Sequence, residues 1–378
     1  MILKKRINTI NYYFIGSNYI GQVFPNETVM EPGTSSVKIY DDEFNEYILG
    51  NIEFEYGRPI RDTINSYLFG EKCELYKVDH INKEIIEVKK FDNGVIGDRL
   101  ENYPFFIHMD KHVFDSTNTP INPIVKALYH LDRVVWINND FGWIKLYSNE
   151  LMILYTHEVL NENNTNVFSK INPTTGSKQW NFNLNNCIDK IVSNFPFDYI
   201  HKIKDPIGIF RNQLWFALEN EGMMCVDNTS GAFRHYIRDL DVYTDTSGVS
   251  RSKFPVLPWA EKAVILNSEE KMVCFHTWYY WEMDLNTLEI EFHYLRPYLE
   301  KMQCYNYQQW KTLIVEGNQI ITVSQLTKKF SAFNRNTLEY DWIVDLPPDC
   351  GRPRSIEKHG NRYYIDTFNK ELLVYEDE

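Results

Sequence analysis

A chain of 378 residues with 39 Lys and Arg against 52 Asp and Glu carries a formal charge of −13, and repulsion from phosphate disfavours general nucleic-acid binding. Aromatic residues form 15% of it, as 25 Tyr, 23 Phe and 9 Trp, a bias that suits pleated, half-buried surfaces. Cys73, Cys187, Cys225, Cys274, Cys304 and Cys350 are scattered without a Cys-x-x-Cys pair, which argues against a zinc site or a redox motif.

In chain order, residues 1–24 hold Lys4, Lys5 and Arg6, then Asn8, Asn11 and Asn18, with no continuous apolar core. Neither a signal peptide nor a membrane span is expected there. Free thiols in such a chain fit a reducing cytoplasm. Short apolar runs follow at 19–24, 67–69, 151–155, 214–218, 272–275, 320–323 and 363–365. Each reads as a strand, and Gly, Asn or Ser often precedes it, as in Gly317-Asn318 and Gly360-Asn361. Earlier apolar runs at 207–210, 263–266 and 312–315 read as the strand before. Residues 297–302 suggest one short helical insertion.

Acidic or amide residues close a third strand in each repeat: Asp41, Asp79, Asp132, Asn172, Asp227, Asp284, Asn334 and Glu376. Their mean spacing of about 48 residues lies within the range of four-stranded propeller blades. The direct count is eight blades. Leu131-Asp132-Arg133 has no Gly or Thr at its turn, however, and discarding that marker gives seven, the favoured number, since the first and third markers are both poor and blades need not be equal. The reading is an all-β, closed β-propeller of four-stranded blades over residues 1–378, seven most expected, eight next and a β-sandwich third. The chain ends after a third strand, so residues 2–10 are expected to supply the fourth and remove a free edge.

The fullest marker is Ser169-Lys170-Ile171-Asn172-Pro173-Thr174-Thr175-Gly176-Ser177-Lys178-Gln179-Trp180. Asx side chains accept backbone hydrogen bonds from residues just ahead, and Gly takes the positive φ that closes a hairpin. Weaker copies open at Asp227, Asp284 and Asn334, with His235, Phe292 and Trp342 at the aromatic position. This frame resembles the tryptophan-docking repeat of quinoprotein-like propellers, Ala-x-Asp-x-x-Thr-Gly-x-x-x-Trp. The resemblance implies a scaffold; members of that class hold a quinone beside a vicinal disulfide and calcium, and no adjacent cysteines occur here. No cofactor and no catalytic residue are carried over.

His108 and His112 are four residues apart, but the residues around them read as strands, so no metal is assigned. Asp239, Asp241 and Asp245 resemble a calcium loop only in part, because Tyr243 takes a ligand position and Gly248 comes too late. They read as an acidic surface loop. The cluster Thr277-Trp278-Tyr279-Tyr280-Trp281 combines core positions with possible interface anchors. Long connections at 183–199, 238–260, 295–310 and 346–354 are expected at one face, where function concentrates. They nominate Asp239, Asp241, Asp245, Trp259, Trp310, Arg352 and Arg354 as contact residues.

The expected function is a non-enzymatic, cytoplasmic protein-binding propeller, monomeric in isolation. Its acidity suits a basic partner, as an immunity protein that blocks a basic toxin domain would require. The competing expectation is an enzyme acting on a carbohydrate or other small molecule, with carboxylates from several blades facing across the substrate.

Overall fold

The computed structural model describes residues 1–8, 12–16, 19–25, 34–54, 59–62, 64–91, 94–100, 103–109, 126–138, 143–147, 152–156, 167–187, 203–218, 222–237, 240–245, 250–254, 257–305 and 313–377. Strand β1 (Ile2–Asn8) joins the last sheet, and the strands after it form successive sheets in chain order. The first sheet holds β2 (Tyr12–Ile15), β3 (Ile20–Pro25), β4 (Thr34–Tyr40) and β5 (Glu46–Glu53). The second holds β6 (Ile60–Arg61), β7 (Ser66–Phe69), β8 (Glu74–Asp79) and β9 (Glu84–Lys90). Next come β10 (Val95–Arg99), β11 (Phe105–Met109), β12 (Lys126–His130) and β13 (Arg133–Asn138). The fourth sheet has β14 (Trp143–Tyr147), β15 (Met152–Thr156), β16 (Val167–Ile171) and β17 (Lys178–Asn183). The fifth has β18 (Ile203–Phe210), β19 (Gln213–Leu218), β20 (Gly222–Asp227) and β21 (Phe233–Ile237).

A hairpin of β22 (Leu240–Asp245) and β23 (Ser250–Phe254) precedes β24 (Val264–Leu266), β25 (Lys271–His276), β26 (Tyr279–Asp284) and β27 (Ile290–Tyr294). These six make one sheet. Helix α1 (Arg296–Met302) follows, as the sequence anticipates. The seventh sheet is β28 (Ile314–Glu316), β29 (Gln319–Ser324), β30 (Lys329–Asn334) and β31 (Glu339–Asp345). The last is β32 (Pro353–His359), β33 (Arg362–Thr367) and β34 (Glu371–Glu376), with β1 antiparallel on β34 in the register Ile2↔Glu376 to Asn8↔Glu371.

The fold is thus an all-β propeller with four-stranded antiparallel blades. Contacts divide it into two compact units: residues 9–182 hold the first four sheets, and residues 1–8 with 183–378 hold the other four. Among the described residues the strands form eight sheets, the number of the direct marker count. Asp132 does mark a hairpin, between β12 and β13; Leu131 takes the left-handed conformation there, at φ 54°, where the sequence offers no Gly.

The hairpins between third and fourth strands form for the reason the markers suggest. Backbone N–H groups of Thr174 and Thr175 donate to Asn172 Oδ1 at 2.8 and 3.1 Å, and those of Thr229 and Ser230 to Asp227 Oδ1 at 3.0 and 2.9 Å. Asp284 accepts from Asn286 and Thr287 at 2.8 and 2.9 Å, and Asn334 from Asn336 and Thr337 at 2.9 and 3.3 Å. Four residues past each marker the chain turns left-handed, at Gly176 (φ 71°), Gly231 (72°), Leu288 (64°) and Leu338 (58°). Leu is disfavoured in that conformation, but Leu288 and Leu338 pack against apolar clusters, which offsets the cost.

Between sheets the packing is apolar and aromatic. Trp215 and Trp281 are fully buried in one cluster of the fifth and sixth sheets, and Phe330, Tyr363 and Tyr375 join the seventh to the last. Trp136 of β13 lies over the hairpin of the fourth sheet, donating Nε1–H to Pro173 O at 3.0 Å.

Candidate binding face

Alternating strand direction puts the hairpins joining first to second and third to fourth strands at one end of each sheet. The turns joining second to third strands, and the connection into the next sheet, gather at the other. At that connection end in the unit containing residues 183–378, the described side chains build one continuous surface.

It begins at the turn between β25 and β26. Trp278 there is half-buried; the Arg296 guanidinium of α1 sits 5.1 Å from its ring centroid, and Tyr305 meets it edge-on at 5.2 Å. The Tyr305 N–H donates to Ser324 Oγ at 3.2 Å, reaching the turn between β29 and β30. From that turn Lys328 Nζ donates to the carbonyls of Pro348 and Cys350, at 2.9 and 2.6 Å, which fixes the connection after β31. Arg352 O in turn accepts the Phe368 N–H at 2.9 Å, in the turn between β33 and β34. Arg6 Nη1 donates to Asp349 at 2.7 Å and its Nε to Glu371 at 2.8 Å, while the Gly351 N–H donates to Glu371 Oε2 at 3.1 Å.

The nominated residues divide. Arg352 is exposed on this surface, and Arg354 opens β32 beside it, with Nε 2.5 Å from Asp366 Oδ2. Asp366 is almost wholly buried, and that burial outweighs Arg354 and pushes its carboxyl up to about 6. Trp259 is half-buried at the same end and packs on His276, ring centroids 4.4 Å apart. Its backbone is left-handed at φ 61°; the Trp281 indole N–H on Pro258 O at 3.0 Å and the Cys274 thiol on Trp259 O at 3.4 Å pin it there. Trp310 and Asp239 lie outside the described residues.

Asp241 and Asp245 are placed differently from the expectation of an acidic loop. They belong to β22, which pairs parallel with β27 through Thr244↔His293 and Asp245↔Tyr294, so the segment extends the outer rim of the sixth sheet as a hairpin. Non-local pairing with β27 decides this, and no motif announces it. In the aromatic cluster Tyr280 and Trp281 are buried, and Trp278 and Tyr279 are half-buried. His108 stands in β11, stacked on Phe91 at 5.1 Å, and His112 lies outside the described residues.

Arg296, Tyr305, Leu326 and Phe368 were not nominated. An apolar residue inside a polar turn, as in Gln325-Leu326-Thr327 and Phe368-Asn369-Lys370, was the available signal.

No family model matches the chain, and no curated protein matches it. Solved structures do. Saccharomyces cerevisiae Sqt1 superposes with a TM-score of 0.54 at 7% identity, over 98% of this chain and 100% of that one. The dihydro-heme d1 dehydrogenase NirN, solved in complex with DHE, gives 0.52 at 10% identity, over 95% and 70%. BamB from Moraxella catarrhalis gives 0.46 at 8% identity, over 85% and 96%. At such identities the first two show a shared propeller fold and nothing finer.

Proposed function

We propose that the chain is a non-enzymatic, cytoplasmic protein-binding propeller, a single working domain of the quinoprotein-like class, whose partner is a basic protein domain. A toxin held inactive by its immunity protein is the concrete case. The formal charge of −13 carries the reading, because charge complementarity raises encounter rates and rejects acidic competitors. The propeller supports it as a rigid platform of the kind that presents loops and rims to other proteins.

Local placement indicates where a basic surface would meet the chain. At the hairpin end of the sixth and seventh sheets Glu289, Glu339 and Asp341 are exposed, while the cations nearby are already engaged: Lys271 with Glu282 at 2.6 Å and Arg211 with Glu270 at 2.5 Å. The rim hairpin with Asp241 and Asp245 adjoins β27, which contributes exposed Glu291. Native purification from its own cells should recover a stoichiometric basic partner that dissociates as salt is raised. Recovery of no stoichiometric partner, or of an acidic one, would remove the basis for this reading. With a partner in hand, Lys substitution at Asp239, Asp241 and Asp245 should slow association and flatten its salt dependence; equal rates at two ionic strengths would clear the rim hairpin of any steering role.

A further inference from the structure

The connection end described above differs in character from the acidic remainder. Three successive turns there present an apolar tip: Trp278 in the sixth sheet, Leu326 in the seventh and Phe368 in the last, with Leu326 57% and Phe368 46% exposed. The carboxylates of the same segments are neutralised, Glu300 by Arg296, Asp345 by Lys329, Asp349 and Glu371 by Arg6, and Asp366 by Arg354. Lys301, Arg352 and Lys370 are exposed, and no carboxylate lies within ion-pairing distance of them among the described residues. Large apolar side chains on turn tips lose water contact only when something covers them.

From this juxtaposition we propose a second docking surface: the line Trp278, Leu326, Phe368 with Lys301, Arg352 and Lys370 takes an extended acidic protein segment bearing spaced apolar side chains. Charge complementarity selects the occupant, since exposed cations beside the apolar tips, on a chain of net negative charge, favour an acidic ligand there. The edge-on contact of Trp278 with Tyr305, and the hydrogen bonds of Tyr305 to Ser324, of Lys328 to Pro348 and Cys350, and of Phe368 to Arg352, tie the three turns and their connections together, so little ordering entropy opposes binding. An extended segment spaces its side chains regularly, so it can set apolar groups on the tips and carboxylates beside the cations. This surface is separate from the rim and hairpin end offered to a basic partner.

The test uses the full chain and a fluorescent peptide of about twelve residues alternating Asp with Leu and Phe, enough to span about 40 Å extended. A matched peptide with Lys for Asp is the control. Fluorescence anisotropy should show saturable binding of the acidic peptide only, weakened by added salt. The double variant L326S/F368S should lose about tenfold in affinity, and R352E/K370E a similar factor together with most of the salt dependence. All four side chains are exposed, so melting temperatures should stay near wild type. Equal binding of both peptides, no saturation, or unchanged affinity in both variants would overturn the proposal. So would binding to phosphatidylserine vesicles without binding to the peptide, which would mark a membrane-facing surface instead. Neither result bears on whether a basic partner binds elsewhere.

Discussion

Lys370 sits exposed in the turn between β33 and β34 with φ 61°. The left-handed conformation costs a Cβ-bearing residue about 1–2 kcal/mol, part of which glycine gives back through its larger unfolded-state entropy. K370G should therefore stabilise the protein by about 0.5–1 kcal/mol in urea unfolding, and a loss of stability would show that the Lys370 side chain does more than turn the chain. Gly176 is the converse. Its φ is 71° and an added Cβ would lie 2.8 Å from the Trp136 indole, so G176A should cost about 2–3 kcal/mol. Asp366 adds a pH dependence. Its ordinary value is 3.8 and the folded one about 6, so the native state binds more protons in between; its stabilising contribution is complete below about 4 and lost as pH rises through 6. At one unit per 1.36 kcal/mol the loss is about 2–3 kcal/mol. D366N, with Arg354 still partly in water, should gain about that much over wild type at pH 7.5 and nearly nothing at pH 4. Equal pH profiles for the two proteins would refute the assignment. At this scale the sequence was most legible where one residue acts on its immediate neighbours. Asn172, Asp227, Asp284 and Asn334 accept the hydrogen bonds their spacing promises, whereas the Arg354–Asp366 pair joins residues on adjacent strands whose register had to be known first.

Elements were legible wherever their partners follow directly in the chain. The apolar runs at 214–218, 272–275 and 320–323 fall inside β19, β25 and β29, and the short helix falls at 296–302. Two features escaped because their partners are distant: the rim hairpin laid against β27, and the ion network tying the sixth sheet to the seventh. In that network Arg335, in the turn after β30, donates to Glu282 of β26 at 2.6 Å and to Glu269 at 2.8 Å, while Lys271 and the Tyr280 hydroxyl also engage Glu282. Burial opposes ionisation of Glu282, but the hydrogen bonds from Arg335, Lys271 and Tyr280 outweigh it and hold its carboxyl below the usual range. The stability linked to Glu282 is thus present above its ordinary value of 4.5 and lost as pH falls through the lowered one. Removing one partner strands a buried charge, which typically costs about 3–5 kcal/mol, whereas replacing both with apolar residues is often nearly neutral. R335M should destabilise by about that amount and R335M/E282L should recover most of it. Additive losses in the double variant would mean the two side chains do not act as a pair.

For the whole molecule, composition and period led to the right architecture and left the blade number open, because the turn at Leu131-Asp132 reaches its left-handed residue without glycine. The N-terminal strand was legible by a different logic: the last repeat lacked a fourth strand, and residues 2–10 were not needed by the first. The structure shows why β1 matters. Ile7 is buried, Arg6 ties β34 to the connection after β31 through Glu371 and Asp349, and Lys4 lies 3.5 Å from Glu376. Deleting residues 2–8 would strip a full strand of backbone hydrogen bonds from β34, leave Glu371 without its guanidinium and expose a sheet edge that invites pairing between molecules. The truncated protein should melt several degrees lower and associate in a concentration-dependent manner on size-exclusion chromatography. A synthetic peptide of residues 1–10 added in trans should reverse both effects, because the register from Ile2↔Glu376 to Asn8↔Glu371 provides a ready groove for it. If the truncated chain stays monomeric with an unchanged melting temperature, the strand is dispensable and the last sheet stands on three strands alone.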